Sequence, residues 1–92
     1  MEEKLEKGRI ADIKWQDKLV DVKTAIFNIK TNRWKFLLSK QKGKVDLFLV
    51  FCKDSEERTK YIFLIPDKDL KFKNLNISLR SIGYYKKYLF NN

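Results

Sequence analysis

The sequence contains no histidine and a single cysteine, Cys52. A Cys/His zinc site and an internal disulfide framework therefore cannot be built within one chain. Because Cys52 lies in an apolar run and has no histidine to activate it, we expect a buried, reduced thiol rather than a nucleophile. The lack of histidine also leaves no side chain whose ordinary pKa lies near neutrality.

The sequence also lacks a long hydrophobic run. No apolar stretch approaches the roughly 18 residues that a membrane-spanning helix needs, and the chain is charged from Glu2 onward. We therefore expect a soluble, cytoplasmic protein without a membrane partner. With no internal repeat, low-complexity tract or linker, residues 1–92 are expected to form one domain. Domains of this size bury only somewhat over ~60% of their unfolded surface, so a homo-oligomer would supplement the core.

Acidic residues are outnumbered, with twelve Asp and Glu against twenty-one Lys and Arg and a net charge of +9. Two stretches, Ile29–Lys44 and Lys71–Asn92, hold many basic residues and no acid. This distribution favours a polyanionic partner such as the phosphate backbone of DNA, and a merely lysine-rich solvated surface is the alternative. The residues expected to bind nucleic acid are Lys30, Arg33, Lys35, Lys40, Lys42, Lys44, Arg80, Lys86 and Lys87.

The segment Arg9–Ala25 predicts a β-hairpin. Apolar and polar residues alternate on both sides of Gln16-Asp17, a polar connection of hairpin length. A two-residue loop at that position brings apolar residues together across the strands. The expected pairs are Trp15 with Lys18, Ile13 with Val20 and Ala11 with Val22.

The same register sets Asp12 directly opposite Asp21, with Lys23 one same-face position along. Like charges in that position destabilise a sheet by something under ~1 kcal/mol when solvated. A divalent cation would resolve the conflict, since Mg²⁺ is bound through one or two carboxylates together with phosphate oxygens and water. The alternative is that both acids are solvated on the outer face of an exposed hairpin, screened by Lys14 and Lys23.

The spacing of Asp12, eight intervening residues and then Asp21-Val22-Lys23 resembles the PD-(D/E)XK signature. Restriction endonucleases, archaeal Holliday junction resolvases and intron-associated homing endonucleases share this signature, with the first acid on one hairpin strand and the second acid and lysine on the next. The resemblance implies that Asp12 and Asp21 bind Mg²⁺ or Mn²⁺. It further implies that these two acids and Lys23 are the catalytic residues of a DNA endonuclease.

The resemblance also implies a fold class. We expect an α/β protein with a restriction-endonuclease-like mixed sheet of about five strands, a C-terminal helix and a trimmed N-terminal helix. The N-terminal segment Met1–Gly8 is too short for the long first helix of that family and predicts only one or two helical turns. Within it, Glu6 is the one stand-in for the acid that this helix often supplies. Ala11 replaces the proline that usually precedes the first acid.

Further strands are predicted downstream. Trp34–Ser39 alternates, and the nearly continuous apolar run Val45–Cys52 predicts a central strand covered on both faces. Tyr61–Ile65 and Asn76–Leu79 are further β-rich runs. After Ser81, apolar residues recur at helical spacing, which predicts the C-terminal helix.

Two classes of function remain open at this point. The first is a metal-dependent DNA endonuclease that uses Asp12, Asp21 and Lys23. The second is a non-catalytic, basic, β-rich module that binds nucleic acid, alone or as a subunit of a larger complex, and a purely structural dimerisation domain is a third possibility. Carboxylates of Asp12 and Asp21 lying side by side near Lys23 favour the first class, and acids on opposite faces favour the second.

Overall fold

A computed structural model describes residues 11–90 and the backbone of residues 2–4. Within this part of the chain, strands make up most of the regular structure. The elements are β1 (Glu2–Lys4), β2 (Ile13–Trp15), β3 (Lys18–Ile26), β4 (Arg33–Leu37), β5 (Leu47–Lys53), β6 (Thr59–Pro66), β7 (Asn74–Ser78) and α1 (Ile82–Tyr85), with single 3-10 turns at Asp67–Asp69 and Lys86–Tyr88.

The strands form two sheets. The larger has five strands in the order β1-β2-β3-β5-β6, and the smaller is the two-stranded pair β4-β7. Only β3 and β5 pair in parallel, so the larger sheet is mixed. The prediction of a small α/β protein with a mixed sheet of about five strands is confirmed. The smaller sheet was not predicted as a separate unit.

The two sheets pack face to face. Phe48, Val50 and Phe63 from the larger sheet are fully buried against an inner face of the smaller one. That inner face is made by alternate residues of β4 and β7, as the pattern in Trp34–Ser39 predicts. The indole N–H of Trp34 donates a hydrogen bond of 2.8 Å to the carbonyl of Lys53, which ties the smaller sheet to the end of β5.

The other face of the larger sheet is only half-buried. β5 alternates between buried and intermediate residues, so the prediction of a strand covered on both faces is wrong for one face. On that side Leu49 and Leu64 line a small cavity of about 70 Å³ together with Trp15 and Phe90. β5 is an inner strand, whereas β3 takes the middle position in the order.

The two ends of the chain differ from expectation. Glu2–Lys4 is a strand paired with β2, not a helical turn, because its backbone continues the hairpin into a third antiparallel strand. Glu6 and the rest of that segment lie outside the described residues. The C-terminal helix exists where it was predicted, but α1 is one turn long, and no helix of the described residues is long and apolar enough to cross a membrane.

The hairpin turn has a specific backbone geometry. Gln16 and Asp17 have φ angles of 49° and 63°, and positive φ at both central residues is the requirement of a type I′ turn. This turn matches the twist of the strands, which explains why β2 and β3 pair as predicted despite the missing Asn-Gly sequence. Non-glycine residues hold this conformation at a cost.

Replacing Gln16-Asp17 by Asn-Gly is therefore expected to stabilise the protein. Glycine and asparagine adopt positive φ more readily, so we expect a gain of about 1 kcal/mol. For a domain of this length that corresponds to a rise in melting temperature of roughly 4–8 °C by calorimetry. An Ala-Ala replacement at the same two positions should lower the melting temperature, and the opposite order of the two variants would contradict the turn assignment.

Candidate active site

Asp12 leaves the regular ladder of the hairpin. The last ladder pair is Ile13 with Val20, and the Asp12 amide donates to the Val20 carbonyl as well, at 3.0 Å. Two residues of one strand therefore lie against one residue of its partner, which is the arrangement of a β-bulge. The Asp12 carboxylate then accepts the Val22 amide at 2.8 Å, so the predicted pairing of Ala11 with Val22 does not form.

The bulge also changes the side of the sheet on which the residues before it lie. Ala11 joins the buried core, whereas Ile13 and Trp15 lie on the half-buried side of the larger sheet. The prediction that these three share a face is thus wrong at Ala11, because the extra residue at the bulge reverses the alternation before it.

Asp21 is a buried carboxylate. It pairs with Phe48 in the parallel ladder, so its side chain shares the face that carries the core, and the residue is only 3% exposed. No atom of the described residues meets hydrogen-bond geometry at its Oδ2 atom, but the Lys23 ammonium lies 3.3 Å away and forms an ion pair with it. This oxygen is therefore compensated by charge and only partly by hydrogen bonding, which is costly for a buried carboxylate.

The pKa of Asp21 is displaced upward. Its pKa is raised from the ordinary value of 3.8 to about 6, and burial is the largest cause. The Lys23 ammonium lowers the pKa, whereas the neighbouring Asp12 carboxylate adds to the rise through a shared hydrogen bond and charge repulsion. The two carboxylates are therefore neighbours, but the prediction that Asp12 lies directly opposite Asp21 in the hairpin ladder is wrong, because the ladder ends at Ile13 and Val20. The alternative of two solvated acids does not hold for Asp21.

Lys23 is the third member of the group. Its Nζ lies 3.3 Å from Asp21 Oδ2 and donates a 3.0 Å hydrogen bond to Gln41 Oε1. The side chain of Lys23 keeps 24% of its surface exposed, and Asp12 is exposed as well. The group of Asp12, Asp21 and Lys23 can thus be reached from solvent although Asp21 itself is covered.

The donor set fits a hard divalent cation. Two neighbouring carboxylates match the one or two carboxylates through which proteins hold Mg²⁺ while water and phosphate complete the shell. No cluster of three or more His, Cys, Asp or Glu side chains occurs among residues 11–90. That Asp12 and Asp21 hold Mg²⁺ or Mn²⁺ therefore stays a prediction.

Gln41 was not singled out from the sequence. It lies in the turn after β4, eighteen residues beyond Lys23, and its side chain reaches Lys23 because β4 folds back over β3. A polar residue in a turn of Gln-Lys-Gly-Lys carries no signal of such a contact. Only the packing of the smaller sheet against β3 creates it.

Most of the basic residues expected to bind nucleic acid are exposed. Arg33 and Lys35 lie on the outer face of β4, Arg80 lies two residues beyond the end of β7, and the Nζ of Lys87 lies 4.5 Å from the ring centre of Tyr84. The others with exposed side chains in turns or at the C-terminal helix are Lys30, Lys40, Lys44 and Lys86.

Lys42 differs from the rest of this set. Its Nζ lies 2.9 Å from Asp67 Oδ1 and donates a 3.0 Å hydrogen bond to the Asp67 carbonyl, and only 18% of its side-chain surface is exposed. A lysine held in this way joins the turn after β4 to the end of β6. We therefore assign Lys42 a structural role in the fold and leave it out of the nucleic-acid surface described below.

The sequence and the fold were compared with known proteins. No protein-family model, no curated protein and no solved structure matches this chain significantly.

Proposed function

We propose that this chain is a Mg²⁺-dependent DNA endonuclease that hydrolyses phosphodiester bonds. The observation that carries the proposal is the convergence of two neighbouring carboxylates and a lysine, with the buried acid ion-paired to that lysine. Structural ion pairs rarely place two acids together, because the second charge raises the free energy of the first. The net charge of +9 and the two acid-free stretches support a polyanionic substrate.

Each residue has a distinct role in this mechanism. Asp12 and Asp21 would hold the divalent cation, which when bound supplies positive charge at the phosphate and lowers the pKa of water. Lys23 is held by Asp21 and Gln41 at the edge of the acid pair. As the ammonium it can orient the attacking water or stabilise the charge that develops at phosphorus, and as the neutral amine it could take a proton from that water. Gln41 is a positioning residue that limits the rotamers of Lys23.

We also propose that the fold is restriction-endonuclease-like. Supporting it are the mixed sheet, the hairpin that carries both acids, and the lysine two residues after the second acid on β3. Cleavage of both strands of a duplex by so small a chain would require at least a dimer.

The alternative is a basic module that binds nucleic acid without cutting it. One observation favours it: Asp12 already accepts the amide of Val22 and so has a structural use of its own. A substitution of Asp12 distinguishes DNA cleavage from binding without cleavage.

Purified protein incubated with supercoiled plasmid and Mg²⁺ is expected to nick or linearise it, and EDTA should stop the reaction. Asp12→Asn should lower the rate by at least ~100-fold, the scale on which removal of one catalytic group acts. Asparagine keeps an oxygen for the Val22 amide, so the bulge is retained. Asp17→Asn, which removes an exposed turn carboxylate of the same hairpin, is the matched control and should cleave normally.

Plasmid that stays supercoiled with Mg²⁺ and with Mn²⁺, while it is still retarded on a gel, would favour the binding module. Equal cleavage by Asp12→Asn and by the unchanged protein would remove Asp12 from the mechanism.

A further inference from the structure

The smaller sheet joins the two acid-free parts of the chain. No acid occurs between Asp21 and Asp46 or after Asp69, and β4 and β7 come from these two stretches. The strands are about forty positions apart in sequence, yet they pair along their whole length from Arg33 with Ser78 to Leu37 with Asn74. Folding therefore brings the two acid-free stretches together in one small sheet, whose outer face carries Arg33 and Lys35 and no acid.

The outer face of this sheet has a distinctive chemistry. Trp34, Phe36, Leu75 and Ile77 point into the core, and the intervening residues point outward. These outward residues are Arg33, Lys35, Leu37, Asn74, Asn76 and Ser78. Leu37 is 62% exposed, which is unusual in a row of polar side chains.

The same residue types recognise bases in duplex DNA. In the major groove Arg or Lys pairs with guanine, Asn pairs with adenine, and an apolar side chain contacts the methyl group of thymine. That groove, ~12 Å wide, admits a two-stranded antiparallel ribbon. Lys35 and Asn76 are direct partners across the two strands, so a cation and an amide stand side by side at the centre of the face.

We propose that the outer face of the β4-β7 sheet enters the major groove of duplex DNA and contacts base edges through Lys35, Asn76 and their neighbours. Outward residues along a strand repeat every ~6.6 Å, close to two base-pair steps of ~3.4 Å. Three outward positions on each strand then cover roughly four base pairs. The identity of the substrate as DNA rests on the function proposed above, whereas base contact by this face does not require cleavage.

Cations at both ends of the sheet suit the flanking phosphates. Arg80 and Arg33 line a groove of about 440 Å³ at one end, and Lys73 and Lys40 are exposed at the other. Such residues fix the position of a protein on the duplex without selecting sequence. The face thus has base-contacting groups in its middle and phosphate-contacting groups at its ends.

The test is a selection of duplexes from a random pool by the unchanged protein in EDTA, so that binding is measured without cleavage. We expect enrichment of a motif of about four base pairs. Asn76→Ala should reduce the preference for that motif over a scrambled duplex roughly ten-fold, the scale of one bidentate base contact. Arg80→Ala should weaken binding to both duplexes equally and lower the salt dependence by about one phosphate.

Lys60→Ala is the control variant, because Lys60 is an exposed cation on β6 of the larger sheet; it should leave the preference unchanged. Unselective enrichment, an unchanged preference in Asn76→Ala, or displacement of duplex by single-stranded RNA at equal concentration would each overturn the proposal. Enrichment of a motif without plasmid cleavage would reject the proposed nuclease activity and support base contact by this face. Plasmid cleavage without enrichment would support the nuclease activity and reject base contact.

Discussion

Asp21→Asn is expected to abolish cleavage and, in metal-free buffer above pH 6, to make the protein more stable. The loss of cleavage follows from removing the buried carboxylate that would hold the divalent cation. The gain in stability follows from the cost of keeping that carboxylate ionised beside Asp12 in a poorly hydrated place. An amide has no charge to desolvate, and it can still accept from Lys23 and donate to Asp12.

The direction of the pH dependence follows from the raised pKa. Folded Asp21 titrates at about 6 and the unfolded residue at 3.8, so the folded state binds more protons in between. The free energy of unfolding therefore falls as pH rises through this interval and levels off above it. The two values differ by about two pKa units, so we expect a penalty of about 2–3 kcal/mol at pH 7 that Asp21→Asn removes.

Calorimetry in EDTA at pH values from 4 to 8 measures this effect. The difference in melting temperature between Asp21→Asn and the unchanged protein should be small at pH 4 and reach on the order of 10 °C at pH 7. Asp17→Asn again serves as the control and should show no such growing difference. If Asp21→Asn is the less stable protein at pH 7, the ionised Asp21 carboxylate stabilises the fold, and the upward shift of its pKa is contradicted.

Lys23→Met is expected to abolish cleavage while leaving divalent-cation binding in place at pH 8. Methionine retains the apolar stem of lysine but has no ammonium near the acids, so catalysis should fall by ~100-fold or more. Asp12 and Asp21 remain available to Mg²⁺, which should still raise the melting temperature by mass action. Binding and catalysis are thereby separated within one site.

The same variant should shift the pH at which the cation binds. Since the positive charge of Lys23 holds the pKa of Asp21 down, its removal raises that pKa above the value of about 6. The midpoint of the Mg²⁺-induced rise in melting temperature, plotted against pH, should therefore move upward. Lys18→Met removes an exposed lysine of the same strand and should leave the midpoint in place. A Lys23→Met protein that cleaves normally would exclude Lys23 from the mechanism.

The sequence predicts the hairpin well because its evidence is local. Alternation and a two-residue connection are enough to pair Ile13 with Val20 and Trp15 with Lys18, as observed. Alternation likewise predicts that Trp34 and Phe36 are buried. Such patterns depend on which side of a strand is apolar, and that information is present in a few consecutive residues.

Features that depend on competition or on distant partners were not predictable in this way. At the bulge the Val22 amide donates to the side-chain carboxylate of Asp12 instead of to a backbone carbonyl of the facing strand. The alternation of apolar and polar residues does not indicate that a side chain will replace the backbone acceptor. The partner of β4 is β7, and β7 was predicted with shifted bounds and no assigned neighbour. The half-buried face of β5 was missed because a continuous apolar run looks the same whether one face or two are covered.

The late position of β7 in the chain has a consequence during synthesis. All three catalytic candidates and Gln41 precede residue 42, but Trp34 and Phe36 gain their cover of Leu75 and Ile77 only when the ribosome has passed Ser78. Until then the turn that holds Gln41 against Lys23 is tied to Asp67 through Lys42 and Gly43 but lacks the support of the β4-β7 pairing, and pairings this far apart form slowly. The final geometry around Lys23 and the outer face of the β4-β7 sheet are therefore expected to form in the same folding event.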